Sequence, residues 1–237
     1  MKSFAVLLGL FFSCLEIYAQ SYAVVHTENG FINIRAEKSS TSKIVGKVAN
    51  CDIVGCDLND KSSWVNIYKT FSEKRNEPFV EGYVERSKII PLSEYKHLKS
   101  RSNGHSFTAT NDSLTIVIRS AAFAPQKHKL LYEKPSESNA PILLKIDHKN
   151  IWGTDGGVPK RMITSISFVN RGVKVSIPLI AYHDLYEPNF DTAKVYLGCN
   201  KAIYVQMNNS DGAGGYSVIW IIKNNKYLKR YLDDSNA

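Results

Sequence analysis

The chain has 237 residues and a formal net charge of +8 at pH 7, and this length accommodates one or two domains. A basic surface suits acidic partners such as wall polymers, anionic lipid head groups or an acidic protein, although a solvated surface without a partner has the same composition. Beyond the amino terminus, no apolar stretch reaches the roughly 20 residues that a membrane-spanning helix needs.

The amino terminus has the pattern of a secretory signal peptide. Lys2 supplies a positive charge, residues 4–15 form an apolar run, and Ala19 is a small residue suited to cleavage. The pattern predicts that residues 1–19 are removed and that the protein is exported to the periplasm or beyond, where nucleic acid is not an expected partner. The alternative is a lipoprotein signal with acylated Cys14, which the bulky residues before that cysteine disfavour.

Residues 20–92 are predicted to form a small domain of short β-strands. Apolar and polar residues alternate in several segments, and polar or Ser/Thr-rich stretches separate these segments, which is typical of a small barrel or sandwich. The predicted strands are residues 22–25, 32–35, 44–48, 51–56, 64–67, 79–84 and 88–92.

Five short motifs follow one another in this domain. They are Ile32-Asn33-Ile34-Arg35, Val45-Gly46, Trp64-Val65-Asn66-Ile67, Gly82-Tyr83-Val84 and Ile89-Ile90. In this order they resemble a bacterial SH3 domain of the SH3b type over about residues 22–92. An added polar loop, residues 69–78, departs from the family pattern and lengthens the hairpin beside the groove that such domains use.

The resemblance implies an SH3-like barrel with a groove lined by aromatic side chains, which combine a large contact area with a polar handle. The candidate binding residues are the aromatic Tyr22, Trp64, Tyr68 and Tyr83, with Asn33 and Arg35 at the rim of the groove. The resemblance also implies a cell-wall peptide or a protein as the partner. The alternative interpretation is that Trp64 and Tyr83 pack inside the barrel or against the hairpin.

Three cysteines follow the signal peptide, and an odd number leaves at least one outside a disulfide. In a continuous strand Cys51 and Cys56 would lie about 16 Å apart, whereas a disulfide needs Cα atoms about 5.5 Å apart. These two can therefore pair only if the chain turns near residues 50–52, and Cys199 is the third candidate. No second C-x-x-C or His pair completes a metal site, so we expect neither a metal nor a cofactor.

Residues 93–112 are polar and basic, and they are predicted to link the first domain to a β-rich domain over residues 113–237. Four hairpin patterns in that domain favour an antiparallel sheet or sandwich over βαβ units. The predicted fold class is therefore all-β, an N-terminal SH3-like barrel followed by an antiparallel β-rich domain. The predicted strands of the second domain are residues 114–118, 129–132, 142–146, 163–169, 173–177, 195–197, 202–207, 216–222 and 226–231.

Three loops of the second domain stand out, at residues 152–159, 182–189 and 208–216. The first and third contain Asp-Gly pairs, for which turn formation is a simpler account than calcium binding, because one Asp per loop supplies too few oxygen ligands. Exposed glycines also let the backbone of a partner approach closely, as in binding loops.

The candidate binding residues of these loops are Tyr186, Asp211 and Tyr216. His183 and Asp184, with Glu187, bring a base and two carboxylates together in the second loop. Because no nucleophile or second His accompanies them, a polar loop between strands is the favoured interpretation over a catalytic site.

The sequence contains no G-x-S-x-G, H-E-x-x-H, P-loop or dinucleotide-binding motif. We therefore predict an exported, non-catalytic binding protein whose SH3-like module engages cell-wall peptide, part of the peptidoglycan, or an envelope protein. One alternative is a periplasmic inhibitor or immunity protein that blocks a wall-degrading enzyme or a toxin. Another is a wall hydrolase with an unrecognised site, because folding can assemble catalytic groups from distant residues.

Overall fold

The computed structural model describes residues 21–69, 79–133, 141–210 and 212–234. The predicted signal peptide and nearly all of the added loop at residues 69–78 lie outside these ranges. The described chain is all-β, which confirms the predicted fold class, and the strand pairings within its sheets are antiparallel. The strands are β1 (Ser21–Val25), β2 (Phe31–Arg35), β3 (Ile44–Ala49), β4 (Ile53–Cys56), β5 (Trp64–Lys69), β6 (Val80–Glu85), β7 (Ile89–Pro91), β8 (Ser100–Ser102), β9 (Ser106–Thr110), β10 (Leu114–Ala122), β11 (Leu130–Tyr132), β12 (Leu143–Ile146), β13 (Lys149–Asn150), β14 (Arg161–Asn170), β15 (Val173–Val175), β16 (Lys194–Leu197), β17 (Ala202–Asn209), β18 (Tyr216–Lys223) and β19 (Lys226–Asp233).

The helical segments of the described residues are short 3₁₀ turns between strands, and none is long and apolar enough to cross a membrane. They are Arg86–Lys88, Leu92–Glu94, Pro125–Lys127, Leu179–Ala181, Phe190–Thr192, Cys199–Lys201 and Gly212–Gly214.

The first seven strands form one sheet in the order β3-β2-β6-β5-β4-β1-β7. Alternating apolar residues such as Ile34, Ile67 and Val84 point to one side and form the core of this half of the protein. The predicted barrel is not closed in the described residues, because β3 pairs only with β2 and β7 pairs only with β1. The link between β2 and β6 is also slight, a single pair of residues, Arg35 and Tyr83.

The segment predicted to be a linker, residues 93–112, is instead part of the second half of the protein. It contains β8 and β9, which extend a five-stranded sheet in the order β15-β14-β10-β9-β8. Phe107 and Ala109 of β9 are buried, as is Leu98, whose amide donates to the carbonyl of Val195 at 2.9 Å. The segment lacks linker character because these apolar side chains fill one face of the sheet while its basic side chains face solvent.

A second sheet, in the order β16-β17-β18-β19, packs face to face on the five-stranded sheet. Phe107, Ile116 and Phe168 from one sheet meet Val205 and Trp220 from the other in a shared core. The second half is therefore an antiparallel sandwich. A small third sheet, β11-β12-β13, covers a separate apolar cluster around Phe123, Leu143 and Ile151.

The β16–β19 sheet is buried on both faces. On β18, Val218 and Trp220 face the sandwich core, whereas Ile219 and Ile221 face the first half of the protein. There they pack in a joint core with Tyr22 and Val24 of β1 and further residues of both halves. Burial on both faces explains why β18 is a continuous apolar run.

Polar and covalent contacts also cross the boundary between the halves. The Tyr204 hydroxyl donates to the carbonyl of Cys51 at 2.8 Å, and the Gly55 amide donates to the Tyr231 hydroxyl at 3.1 Å. The ammonium of Lys229 lies 2.7 Å from the buried carboxylate of Asp52. These contacts make the described chain one body with three sheet layers.

The disulfide joins Cys51 to Cys199, with Cα atoms 6.0 Å apart, so the Cys51–Cys56 alternative is wrong. Cys51 lies in a turn with a φ of 65°, between β3 and β4, at the boundary with the second half. Cys56, at the end of β4, directs its thiol into the core of the first half and remains unpaired.

Candidate functional site

The first candidate site is a cleft of about 160 Å³ on the first half, which we call the groove. It is lined by the aromatic rings of Phe31 and Trp64, by the cationic Arg35 and Lys88, and by Asn33 and Glu85. Asn33 and Arg35 alternate on β2 with the buried Ile32 and Ile34, so the strand directs them away from the core. Trp64 and Glu85 face each other in register across β5 and β6.

The polar groups of the groove differ in how well they are satisfied. Arg35 donates from Nη1 to the carbonyl of Ser42 at 2.7 Å, which holds the guanidinium in place. The side-chain oxygen of Asn33 is buried and receives no hydrogen bond from the described residues. A buried acceptor without a donor is costly to the folded state.

The sequence predicted six residues for this groove, and the structure brings three of them together. Asn33, Arg35 and Trp64 line it, whereas Tyr22, Tyr68 and Tyr83 do not. Tyr22 is buried in the joint core between the halves. The Tyr83 ring instead lies under the ammonium of Lys38, 5.6 Å from the ring centre. Lys88 and Glu85 were not predicted, because their role depends on how β6 and the following turn face β2.

The second candidate site is a cavity of about 490 Å³ in the second half, which we call the loop cavity. All three loops that stood out in the sequence line it, and its wall includes Thr154, Asp155, Lys160, Glu187 and Ser210. Sequence reasoning identified these loops separately but could not show that they meet.

Hydrogen bonds between the loops fix the shape of the loop cavity. The Tyr186 amide donates to the carbonyl of Trp152 at 2.9 Å, and the Ser210 amide donates to the carbonyl of Glu187 at 3.2 Å. The Glu187 carboxylate accepts the backbone amides of Lys160 and Arg161. Because every loop is tied to another, the cavity is preformed.

The loop cavity also contains an unsatisfied polar atom. The hydroxyl of Thr154 is buried and has no hydrogen-bond partner among the described residues. The carboxylate of Asp155 and the ammonium of Lys160 bring both signs of charge to the wall. The cavity therefore offers polar contacts to a small polar ligand.

The tyrosines predicted as contact residues of these loops are buried instead. Tyr186 and Tyr216 are 3% and 4% exposed, and the Tyr216 hydroxyl donates to the carbonyl of Tyr186 at 3.0 Å. Burial raises the pKa of both phenols above the ordinary value. They support the loops from behind, since an aromatic ring packs well in an apolar core. Asp211 lies outside the described residues.

His183 and Asp184 do not form an acid–base pair. Asp184 accepts two hydrogen bonds from the buried guanidinium of Arg230, at 2.5 and 2.6 Å. Nδ1 of His183 donates to the carbonyl of Leu179, and its Nε2 lies against the ammonium of Lys149. Asp184 thus holds the loop to β19 of the sandwich, whereas His183 contacts its own segment and β13 of the small third sheet.

A third cavity, of about 460 Å³, lies among the hairpin turns at residues 170–172, 198–201 and 224–225. We call it the basic cavity, because Arg171, Lys201 and Lys223 line it and none of the described carboxylates does. Sequence reasoning read these turns as hairpins only. Their cations are far apart in sequence, so no local pattern could have found the cavity.

Within the described ranges, no three His, Cys, Asp or Glu side chains form a group that could hold a metal ion.

No family model, no curated protein and no solved structure matches this chain. The resemblance to SH3b domains rests on the sequence motifs of the first half.

Proposed function

We propose that this protein is an exported, non-catalytic binding protein that takes a cell-wall peptide into the groove. The observation that carries the proposal is the composition of the groove, which combines two aromatic rings with charges of both signs. A peptide offers a partner for each of these groups.

The chemistry of a short wall peptide suits the groove in detail. Its carboxylates would pair with Arg35 and Lys88, and a free amine would pair with Glu85. The exposed faces of Phe31 and Trp64 would contact its apolar side chains, since rings provide much contact area at a low entropic cost.

The disulfide between Cys51 and Cys199 supports the proposal that the protein is exported. The Cys51–Cys199 bond links residues that are 148 positions apart, and such structural disulfides persist in oxidising compartments. The pattern of the amino terminus agrees with this compartment.

An inhibitor or immunity protein is the second candidate. That function was suggested by glycine-rich loops that would project into the active site of an enzyme. The three loops instead enclose the loop cavity, with Tyr186 and Tyr216 buried beneath them. A concave surface favours the uptake of a small ligand over the plugging of another protein's site.

The test is co-sedimentation of the full chain with purified peptidoglycan sacculi at low and moderate salt. Glu85→Gln and Lys88→Gln, which keep the size of the side chains, are each expected to weaken binding about tenfold, because a hydrogen bond to a charged group contributes about 1.5–3 kcal/mol. Glu81→Gln, on the same strand but outside the groove, is the matched control and leaves binding unchanged.

Tryptophan fluorescence provides an independent measurement with a soluble wall peptide. We expect the peptide to change the emission of the wild type but not that of Trp64→Phe. The proposal is overturned if sacculi do not retain the protein, or if retention disappears with salt and ignores the groove variants, since that pattern indicates bulk charge alone.

A further inference from the structure

The basic cavity has the electrostatic character of an anion site. Arg171, Lys201 and Lys223 line it, and in the described part of the chain none of the three has a carboxylate partner. The side-chain amides of Asn170 and Asn225 are also in its wall. Three cations that face one cavity repel one another, and an anion between them removes that repulsion.

Two of the cations occupy backbone positions that do not suit them. Arg171 has a φ of 51° and Lys201 a φ of 62°, in the left-handed region. Glycine and asparagine adopt this region most readily, and the neighbouring turn follows that preference with Asn224 and Asn225. A long cationic side chain is not needed for either turn, so strain at these positions points to a role in binding.

The turns around the basic cavity are held firmly. Nδ2 of Asn170 donates to Oδ1 of Asn225 at 2.8 Å, which ties two hairpins together. The Arg171 amide donates to the carbonyl of Ser113 at 2.6 Å. The third turn contains Cys199 and is fixed by its disulfide. A preformed site loses little conformational entropy when a ligand binds.

We propose that the basic cavity binds a phosphate group, either free or at the end of a molecule with an apolar portion. A phosphate monoester carries a charge near −2 at pH 7 and three strong acceptor oxygens, which matches three cations better than a single carboxylate does. The guanidinium of Arg171 can bind two phosphate oxygens at once. Leu197, Ile203 and Ile222 provide an apolar wall beside the cations.

The experiment titrates the full chain with inorganic phosphate and with hexyl phosphate, at constant ionic strength, by calorimetry. Arg171→Asn and Lys201→Asn remove one charge each, and asparagine tolerates the local φ, so both variants are expected to fold with a midpoint of thermal unfolding equal to or above that of the wild type. Each is expected to weaken phosphate binding about tenfold, as a lost charge-assisted hydrogen bond does.

Lys43→Asn is the matched control, because it lowers the net charge equally at an exposed position outside the basic cavity. It leaves the affinity unchanged. The proposal is overturned if the wild type binds neither probe, or if Lys43→Asn weakens binding as much as Lys201→Asn.

The two probes distinguish the source of the phosphate. If the apolar wall takes part, hexyl phosphate binds more tightly than inorganic phosphate, by up to about fourfold for each methylene buried. Equal affinities identify the phosphate group alone as the ligand. Phosphate binding in the basic cavity does not depend on the proposed function of the groove. Arg171→Asn and Lys201→Asn are therefore expected to bind sacculi like the wild type, which separates the two proposals.

Discussion

At the scale of single residues, Cys56 shows how burial controls chemistry. Its thiol is 3% exposed, and burial raises its pKa to about 12. The thiolate is the form that reacts with alkylating reagents. In the folded protein this thiol therefore stays protonated and shielded at ordinary pH.

We expect iodoacetamide at pH 8 to leave Cys56 unmodified in the native protein and to modify it fully after unfolding in denaturant without reductant. Mass spectrometry of the peptide that contains Cys56 measures the outcome. The peptides of Cys51 and Cys199 are the internal control, since their disulfide protects them in both conditions. Rapid labelling of Cys56 in the native state would contradict its placement in the core.

Residues of the groove show what sequence alone can predict at this scale. Asn33 and Arg35 were predictable because strand alternation places them opposite the buried Ile32 and Ile34. Tyr83 alternates with the buried Gly82 and Val84 on β6 in the same way, yet it does not line the groove. Which residues of β6 face the groove depends on how β6 pairs with β2, and the two strands share one pair of residues, Arg35 and Tyr83. Such pairing is a tertiary property.

At the scale of elements, Gly153 is the residue on which the closure of the loop cavity most directly depends. Its φ is 102°, and a Cβ there would lie 2.3 Å from the carbonyl oxygen of Tyr186. The close approach places the first loop against the second. Only glycine combines this backbone conformation with the absence of a side chain.

Gly153→Ala is expected to lower the free energy of unfolding by about 1–3 kcal/mol, because it adds backbone strain and a steric clash. Chemical denaturation measures the change. Gly157→Ala, in the same loop, is the control: a Cβ there meets nothing within 4 Å, and its φ is not positive. Equal losses of stability in both variants would contradict the prediction, because they would show that the contact with Tyr186 is not the cause of the loss.

The strands of the second half were predictable for a local reason: their apolar residues are bounded by turns rich in Gly and Asn.

Residues 93–112 were predicted to be a linker, but they contain the strands β8 and β9. Strand β9 contributes only Phe107 and Ala109 to the core, within a polar segment, so its sequence resembles a linker. Tertiary packing on β10, with β8 along the other edge, provides the order that the local sequence does not indicate.

At the scale of the whole molecule, the disulfide and the joint core make the two halves interdependent. We expect Cys51→Ala/Cys199→Ala to lose about 2–5 kcal/mol of unfolding free energy, because the bond restricts the unfolded chain. Urea denaturation measures the loss, and Cys56→Ala, which retains the disulfide, is the control. An unchanged midpoint in the double variant would show that noncovalent contacts alone determine the stability.

The buried tyrosines of the joint core predict instability in alkali. Burial raises the pKa of Tyr22 and Tyr204 above the ordinary value of 10.0. Above that pH the unfolded chain releases protons that the folded chain retains, so the contribution of these tyrosines to stability is complete below about pH 10 and is lost as the pH rises further.

We expect tyrosinate absorbance from these residues to appear together with unfolding, and Tyr204→Phe to make the loss of stability with pH less steep. Tyr132→Phe, at an exposed position, is the control and leaves that slope unchanged. Ionisation of every tyrosine near pH 10 in the folded protein would contradict the prediction.

The contact between Tyr22 and Tyr231, with ring centres 5.7 Å apart, joins one end of the described chain to the other. Within the first half, the face of β1 that carries Tyr22 and Val24 meets only Ile53 and Leu92, and it is fully covered only when the distant β16–β19 sheet packs on it. Contacts so distant in sequence form slowly, because a long loop must close before they can contribute. Until then, the incompletely covered face of the first sheet is a surface on which misassembly can begin. The vulnerable interval of folding is therefore the one between the formation of the first sheet and its covering by the β16–β19 sheet.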